Sequence, residues 1–295
     1  MTKKPSVAVV AHSGKTLGGG LGELRDVLRR EGVDDPQWFE VPKSKKAPKC
    51  VQRALDEGAD LLFVWGGDGM VQRCIDTAAG SDAAVAIVPA GTANLLATNL
   101  GIPKDIEGAV RIGLHGVRRR LDVGKVNGER FAVMAGAGFD ARMIRDADGT
   151  MKERLGRLAY VVTGAKNLRG QRVKTQIRVD GTKWFDGDAS CVLFGNVGTI
   201  LGGVEAFEHA EPDDGRLELG VVTADGMLQW MRALGRTAVG NPDRSPFVQT
   251  TSGKKIDVRM KRKTPYELDG GDRPKTDRLK VRVEPGAICV CVPQP

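Results

Sequence analysis

Two glycine turns, each directly after a short apolar run, most constrain what this chain can fold into. The first run, Leu61–Trp65, ends at Gly66-Gly67-Asp68-Gly69, and the second, Val85–Val88, ends at Pro89 and leads into Gly91-Thr92-Ala93-Asn94. A nearly unbroken apolar run of this length is typical of a strand buried on both faces of a parallel sheet. Open α/β sheets bind ligands at the carboxyl ends of their strands. Both turns are therefore predicted to lie at a ligand site.

The residue types in these turns suit a phosphate ligand. Gly66, Gly67 and Gly69 lack Cβ atoms and reach backbone angles closed to other residues, so their amides can point at an anion. Asp68 lies too close to such a phosphate to act alone, and we expect it to hold Mg²⁺ or to order the water around the ion. Either Thr92 or Asn94 is predicted to cap the next helix, whose N-terminal amides would complete the anion site. Two ordinary glycine turns are the alternative.

These turns resemble a known family. Gly66-Gly67-Asp68-Gly69, Pro89-Ala-Gly-Thr-Ala-Asn94 and Leu100-Gly-Ile-Pro103 are similar to the diacylglycerol kinase catalytic domain shared by bacterial lipid kinases, sphingosine kinases and ceramide kinases. The similarity continues at Gly136–Asp140, at Asn196–Gly215 and at Asp269-Gly270, so it spans most of the chain. NAD kinases and 6-phosphofructokinases share the Gly-Gly-Asp-Gly, whereas the Pro-x-Gly-Thr-x-Asn loop is more specific.

The resemblance implies an ATP-dependent lipid kinase that uses Mg²⁺ and phosphorylates a lipid hydroxyl, with diacylglycerol as the default acceptor and phosphatidic acid as the product. Two alternatives stay open. One is NAD kinase or another small-molecule kinase of the same fold. The other is a catalytically degraded module that binds lipid or nucleotide without turnover.

The resemblance also assigns roles to individual residues. ATP would contact three loops, whose residues are Ser13, Gly14, Gly66, Gly67, Asp68, Gly69, Gly91, Thr92 and Asn94. Asp269 would accept the proton of the lipid hydroxyl, with Asp68 as the second catalytic acid. Asp68 and Asp214 would be the metal ligands.

Four departures from the family pattern bear on these roles. Val10 and Ala11 stand where the family has Asn and Pro before Ser13-Gly14. Met70 replaces a usual Thr, which removes a hydroxyl that could bond a phosphate, and Arg73 replaces a usual Glu. Gly271 replaces the Glu of the family's Asp-Gly-Glu, although the acid Asp272 follows it.

The chain is predicted to form two domains. Strands and helices alternate up to about residue 120, which indicates right-handed crossovers and a parallel sheet of the NAD kinase and phosphofructokinase type. Short alternating runs joined by Asn-Gly and Asp-Gly pairs then indicate a mostly antiparallel β-sandwich over 121–284. Residues 285–295 are expected to pack back on the first domain. Helices are predicted at 155–168 and 228–238 within the second part.

Composition limits the localisation and the binding partners that we expect. No run approaches the roughly 18 to 20 apolar residues that cross a bilayer, so we expect a cytoplasmic protein. The net charge of +8 suits acidic substrates or the inner, anionic face of a membrane as a peripheral partner. The chain has no nucleic-acid-binding signature and only 5% aromatic residues, so we do not expect nucleic acid. Five cysteines without metal-type spacing are read as packing residues. Homodimerisation is left open.

Overall fold

The structure is a computed structural model that describes residues 5–138, 172–200, 204–224 and 246–294. The chain divides into two compact units, Met1–Val123 with Pro285–Pro295 and Gly124–Glu284. Strands β5 and β16 each contribute residues to both units.

The first unit is built on a parallel sheet in the order β2, β1, β3, β4, and every neighbouring pair runs parallel. Cys289 and Val290 of β16 pair with β4, also in parallel. The elements are β1 (Val7–His12), α1 (Gly20–Arg30), β2 (Gln37–Val41), a 3₁₀ turn (Ser44–Lys46), α2 (Ala47–Asp56), β3 (Leu61–Gly66), α3 (Asp68–Ala78), β4 (Ala84–Pro89), α4 (Leu95–Asn99), α5 (Ile106–His115) and β5 (Val117–Val126). The alternation of strands and helices predicted from the sequence is confirmed.

The two apolar runs predicted to be buried strands, 61–65 and 85–88, form the interior strands β3 and β4 of this sheet. All residues of β3 and β4 are buried, as expected for strands covered on both faces. Helix α1 buries Leu24, Val27 and Leu28, which recur at helical spacing on one stripe. None of the helices in the described ranges is long and apolar enough to cross a membrane.

The second unit is made largely of antiparallel strands. Its elements are the end of β5, β6 (Glu129–Phe131), β7 (Met134–Ala137), β8 (Val173–Val179), β9 (Thr182–Ala189), β10 (Cys191–Gly195), β11 (Thr199–Ile200), β12 (Val204–Glu205), β13 (Leu217–Val222), β14 (Val248–Gly253), β15 (Lys255–Leu268) and most of β16 (Gly271–Val292). Strands β14, β13, β10, β7 and β15 pair in that order, and β15 also pairs with β8 and β16. The antiparallel character predicted for this part is confirmed.

The predicted hairpin turns are also confirmed. Asn127 and Asp180 have positive φ angles of 49°, and each precedes a glycine that also has positive φ. These pairs join β5 to β6 and β8 to β9. Adjacent residues with positive φ are the signature of the tight hairpin turn that favours Asn-Gly and Asp-Gly.

Several strand predictions were wrong in detail. The alternating run 130–134 predicts a single strand, but the structure has two strands there, β6 and β7, separated by a bend at residues 132 and 133. The runs 254–260 and 265–268 predict two separate strands, but they form one strand, β15, whose register with β16 shifts after Arg259. Strand β14 was not predicted because its polar sequence lacks an apolar alternation, although it pairs along its length with β13.

Some predictions fall on residues outside the described ranges. These are the helices at 155–168 and 228–238, together with residues 139–140 and 201–203 of the stretches Gly136–Asp140 and Asn196–Gly215 that resemble the family. The cysteines of the described ranges are free thiols; Cys50 is partly exposed, and the other four are buried.

Candidate active site

The two glycine turns lie side by side in the first unit, as the sequence predicts. The register of the parallel pair β3 and β4 places Gly66 opposite Pro89, so both turns leave the same edge of the sheet. Strand β1 ends at this edge too, with Ala11 opposite Trp65. The loops after β1, β3 and β4 therefore share the carboxyl edge where open α/β sheets bind ligands.

The two turns are in direct backbone contact at Gly67 and Gly91. A Cβ atom on Gly91 would lie 2.4 Å from the Cα of Gly67 and 2.6 Å from Oδ1 of Asn94. A Cβ atom on Gly67 would lie 3.0 Å from the Cα of Gly91. Real Cβ atoms do not approach backbone as closely as 2.4 Å, so position 91 requires glycine for the loops to meet, whereas a Cβ atom at position 67 would require a small shift of Gly91.

Asp68 joins the turns by hydrogen bonds. Its Oδ2 accepts the amide of Asn94 at 3.0 Å, and its Oδ1 accepts the amide of Leu95 at 2.5 Å. These amides open α4, so the carboxylate caps that helix from the other loop. Asn94, one of the two predicted capping residues, occupies the N-cap position of this helix, but its side chain makes no capping bond there. The two amides held by Asp68 are also not available to a phosphate.

Asn94 organises the second turn from inside. Its backbone is in the left-handed region with φ of 50°, and the residue is 6% exposed. Its Oδ1 accepts the amide of Gly91 at 2.9 Å, and its Nδ2 donates to the carbonyls of Pro89 and Gly91. The side chain thus fixes the loop and is already occupied by backbone partners.

The exposed surface of this edge carries the groups that can face an anion. Gly69, Thr92 and Ala93 are exposed, and a Cβ atom on Gly69 would meet nothing within 4 Å. Within the described ranges, the amides of Thr92 and Ala93 are paired with no acceptor of the protein. Open space and unpaired backbone donors beside a glycine pair suit a phosphate group.

The loop after β1 is tied to the same edge by a residue that sequence reasoning did not single out. The buried indole of Trp65 donates through Nε1 to the carbonyl of Lys15 at 3.1 Å. Ser13 and Gly14 are exposed; the Ser13 amide donates to the carbonyl of Val41, and the Gly14 amide donates to Nδ1 of His12. The sequence signal that could have predicted this contact is the tryptophan at the end of the apolar run Leu61–Trp65.

The electrostatics of Asp68 follow from its burial. Desolvation raises the pKa of this carboxyl, and the amides of Leu95 and Asn94 act in the opposite direction without cancelling the effect. A carboxylate with both oxygens on backbone amides and little water around it is held rigidly in place. Asp68 therefore positions the two turns relative to one another.

Met70 lies beneath the first turn. Its side chain is 1% exposed, and a Cβ atom on Gly66 would lie 2.5 Å from the Cβ of Met70. This residue is a core residue of α3 in this protein. The position at which the family resemblance predicts Thr thus supplies packing here.

Asp269 lies in the second unit, at the turn between β15 and β16. It is 4% exposed, and its carboxylate accepts the amides of Ala132 at 2.8 Å, Val133 at 3.0 Å and Met134 at 2.9 Å. These bonds hold the bend that separates β6 from β7, which explains why the sequence-predicted strand is broken there. Three of the roughly four lone-pair positions of the carboxylate are used in this way.

Asn196 supports the same bend. Its Nδ2 donates to the carbonyl of Ala132 at 3.0 Å, and its amide donates to the carbonyl of Val133 at 2.9 Å. Asp269 and Asn196 therefore satisfy donors and acceptors of one buried segment, as buried backbone groups require.

Two further acids each accept a backbone amide. Oδ1 of Asp214 accepts the amide of Arg216 at 2.8 Å, which closes a turn in the second unit. In the first unit, Oδ1 of the buried Asp122 accepts the amide of Gly286 at 2.7 Å. Among the described residues no three His, Cys, Asp or Glu side chains are grouped to hold a metal ion. The metal role of Asp214 stays a prediction.

Two family models match this chain, one over most of each unit. Residues 6–126 match the family model of the diacylglycerol kinase catalytic domain, and residues 133–292 match that of the YegS C-terminal NAD kinase beta sandwich-like domain. A diacylglycerol kinase of Bacillus subtilis is 30% identical over 219 residues, which cover 72% of this chain and 71% of that protein. A protein of Cronobacter sakazakii named "Probable lipid kinase YegS-like" is 28% identical over 248 residues, which cover 82% of this chain and 81% of that protein.

Solved structures show the same fold. A diacylglycerol kinase from Bacillus anthracis superimposes with a TM-score of 0.80 at 22% identity, over 99% of this chain and 98% of that chain. An NAD kinase from Archaeoglobus fulgidus in complex with ATP superimposes with a TM-score of 0.53 at 12% identity, over 97% and 92% of the two chains. The predicted fold class, an α/β domain followed by a β-sandwich, is confirmed. The chain belongs to the family of lipid kinases that join a diacylglycerol kinase catalytic domain to a YegS-type, NAD kinase-like β-sandwich domain.

Proposed function

We propose that this protein transfers the γ-phosphoryl group of ATP to the hydroxyl of diacylglycerol and releases phosphatidic acid and ADP. The observation that supports the proposal most is the interlocked pair of glycine turns, in which Gly67 contacts Gly91 and Asp68 holds the start of α4. The exposed amides beside this contact suit the phosphates of a nucleotide. The relatives named as diacylglycerol and lipid kinases support the acceptor class.

In the proposed reaction the lipid oxygen forms a bond to the γ-phosphorus, and the bond from that phosphorus to the bridging oxygen of ADP breaks. The hydroxyl proton passes to a base, and the electron pair of the broken bond stays on the oxygen of ADP. Such a transfer needs little covalent chemistry from the protein, so placement of the phosphates and stabilisation of their charge supply most of the rate enhancement. A rigid pair of turns serves that purpose.

Mg²⁺ would neutralise charge on the phosphates. Asp68 is the residue that would hold it on the nucleotide side, through water, because both carboxylate oxygens already accept backbone amides. Mg²⁺ commonly keeps several waters and binds through few carboxylates together with substrate phosphates. This donor set fits a hydrated ion better than a bare one.

Asp269 is the proposed acceptor of the hydroxyl proton by its resemblance to the family's Asp-Gly-Glu. Its three amide bonds give it a second role, because they hold residues 132–134 in their bend. In the base role, an oxygen of this carboxylate would face the hydroxyl of the substrate.

A radiolabel transfer assay with ATP tests the function, with diacylglycerol and NAD as parallel acceptors. Labelled phosphatidic acid is the expected product. Label found only in NADP would assign the chain to the NAD kinases, whose fold it shares. Binding of ATP without transfer to any hydroxylated lipid would favour a nucleotide-sensing module.

Asp68→Ala tests the site. We expect the variant to fold and to lose transfer by at least about a hundredfold, because the turns lose their common anchor. Asp35→Ala removes an exposed acid of the same unit and is the matched control, with transfer close to wild type. A wild-type rate in Asp68→Ala would contradict the proposed site.

A further inference from the structure

One face of the second unit carries a dense set of cations on three neighbouring strands. Of the ten residues Lys254–Lys263, six are Lys or Arg and one is acidic. The antiparallel pairing of β8, β15 and β16 brings further cations next to them. We call this set the basic face; its residues are Arg178, Lys255, Arg259, Arg278, Lys280 and Arg282.

Strand alternation creates the face. Apolar residues between the cations point inward and are buried in the core of the unit, and they are Ile177, Ile256, Val258, Leu279 and Val281. Because successive side chains of a strand point to opposite sides, the cations share the outer side of all three strands. Their position on one surface is therefore fixed by the core.

Cross-strand register places like charges opposite each other. Lys255 is paired with Arg282, and Arg259 with Arg278. Like charges directly opposite on neighbouring strands destabilise a sheet. The face keeps two such pairs, one on each side of the row that pairs Asp257 with Lys280, and this arrangement favours a binding role over a role in stability.

The counter-charge on this face is small. Asp257 forms a bidentate pair with Arg278, at 2.9 Å and 2.6 Å, and Glu284 binds Arg282 at 2.8 Å. Within the described ranges, no acid lies in ion-pair distance of the side chains of Lys255, Arg259 and Lys280. These three cations are exposed, and the one acid between them, Asp257, lies opposite Lys280 and attracts both Arg259 and Lys280 without forming an ion pair with either.

The shape of the face suits small anionic groups on a broad surface. Five of its cations, Arg178, Lys255, Arg278, Lys280 and Arg282, line a shallow depression of about 440 Å³. The described strands β8, β15 and β16 contain one aromatic residue, Tyr266, which packs against the core. The face thus offers charge without the aromatic platform on which nucleic-acid bases stack.

We propose that the basic face is the surface through which this protein binds the phosphate groups of anionic phospholipids at a bilayer. This inference rests on the proposed function, since a diacylglycerol acceptor resides in a bilayer. A flat array of cations is attracted to the negative potential of such a surface, and the attraction decreases as salt screens it. Docking would raise the local concentration of the lipid substrate without altering the chemistry of the site.

Vesicle sedimentation tests the proposal without turnover. Wild type is compared on vesicles of phosphatidylcholine alone and on vesicles that also contain phosphatidylglycerol, at low and high salt. We expect binding to the anionic vesicles only, and weaker binding at high salt. The double variant Lys255→Gln, Lys280→Gln should lose about twenty-five-fold in affinity, from about fivefold for each cation removed.

The control is the double variant Lys104→Gln, Arg111→Gln, which removes two exposed cations of the first unit. It has the same net charge and should bind anionic vesicles like wild type. Thermal unfolding of Lys255→Gln, Lys280→Gln should be close to that of wild type, because relief of the repulsion between Lys255 and Arg282 offsets loss of the attraction between Lys280 and Asp257. An equal loss of binding in both double variants would overturn the proposal, since net charge alone would then explain it.

Two further outcomes would also overturn the proposal. One is wild-type affinity for anionic vesicles in Lys255→Gln, Lys280→Gln. The other is binding to a DNA duplex that is as tight as vesicle binding and equally sensitive to these substitutions, which would reassign the face to nucleic acid.

Activity measurements separate this proposal from the proposed function. On a short-chain diacylglycerol dispersed in neutral detergent, Lys255→Gln, Lys280→Gln should be as active as wild type. On diacylglycerol in anionic vesicles it should be slower. Vesicle binding through the face without any transfer in wild type would leave the docking surface standing and refute the kinase assignment.

Discussion

Replacing Asp269 by asparagine should destabilise the second unit, because the carboxylate of Asp269 accepts three buried backbone amides. An asparagine side chain keeps one acceptor oxygen and turns an NH₂ group towards the remaining donors. Hydrogen bonds to charged groups contribute about 1.5 to 3 kcal/mol each, and a buried donor left without a partner costs about 1 to 3 kcal/mol. The loss of at least one bond and the charge gives an expected destabilisation of about 3 kcal/mol. Domains are stable by only about 5 to 15 kcal/mol.

Urea unfolding followed by far-UV circular dichroism measures this loss. Amide hydrogen exchange at Ala132, Val133 and Met134 reports whether the bend has opened locally. Asp277→Asn is the matched control, because Asp277 is an exposed acid of β16 and its replacement changes the charge equally. We expect the control to change stability by less than about 0.5 kcal/mol. A loss below about 1 kcal/mol in Asp269→Asn, or unchanged exchange at the bend, would refute the structural role.

The same variant separates the two roles of Asp269. If the residue only holds the bend, transfer by the variant should fall in proportion to the folded fraction. If it also accepts the hydroxyl proton, the fully folded variant at low temperature should be inactive, and the acid limb of the wild-type pH profile should disappear from any residual rate.

Three other predictions follow from the geometry. Gly91→Ala should lower the free energy of unfolding by about 1 to 3 kcal/mol and reduce transfer at least about tenfold, because its Cβ would overlap the backbone of Gly67. Gly69→Ala, where a Cβ meets nothing, should be neutral or stabilising, and thermal unfolding of the two variants measures the difference. Met70→Thr should destabilise by about 2 kcal/mol through a cavity and a buried hydroxyl, whereas Met70→Leu should cost less than about 1.5 kcal/mol; equal stability of the two would contradict the buried role. Burial raises the pKa of Glu284, but hydrogen bonds from Arg130, Arg282 and Lys125 outweigh it and hold that pKa below the ordinary 4.5. Because the folded pKa is the lower one, the stability that Glu284 contributes is present above 4.5 and is lost as pH falls through the lowered value. The difference in urea midpoint between wild type and Glu284→Gln should shrink over that range; a constant difference would refute the assignment.

The sequence by itself determined the framework of the first unit. Leu61–Trp65 had to be a buried strand, because an apolar run of that length between polar turns can bury both of its faces only inside a sheet. Parallel strands that follow one another through helices bring their carboxyl ends to one edge, so the adjacency of Gly67 and Gly91 could be predicted without coordinates. The tight turns at Asn127-Gly128 and Asp180-Gly181 could also be predicted from the sequence, since the residue pair itself sets the backbone angles.

Only the tertiary structure decided which partners the carboxylates take. Asp68 caps a helix 27 residues further along the chain, and Asp269 binds amides up to 137 residues away. The basic face likewise needs the register of three strands before its cations become neighbours. Propensity and periodicity describe a residue and its near neighbours, whereas a buried carboxylate is satisfied by whichever amides the fold brings within about 3 Å of it.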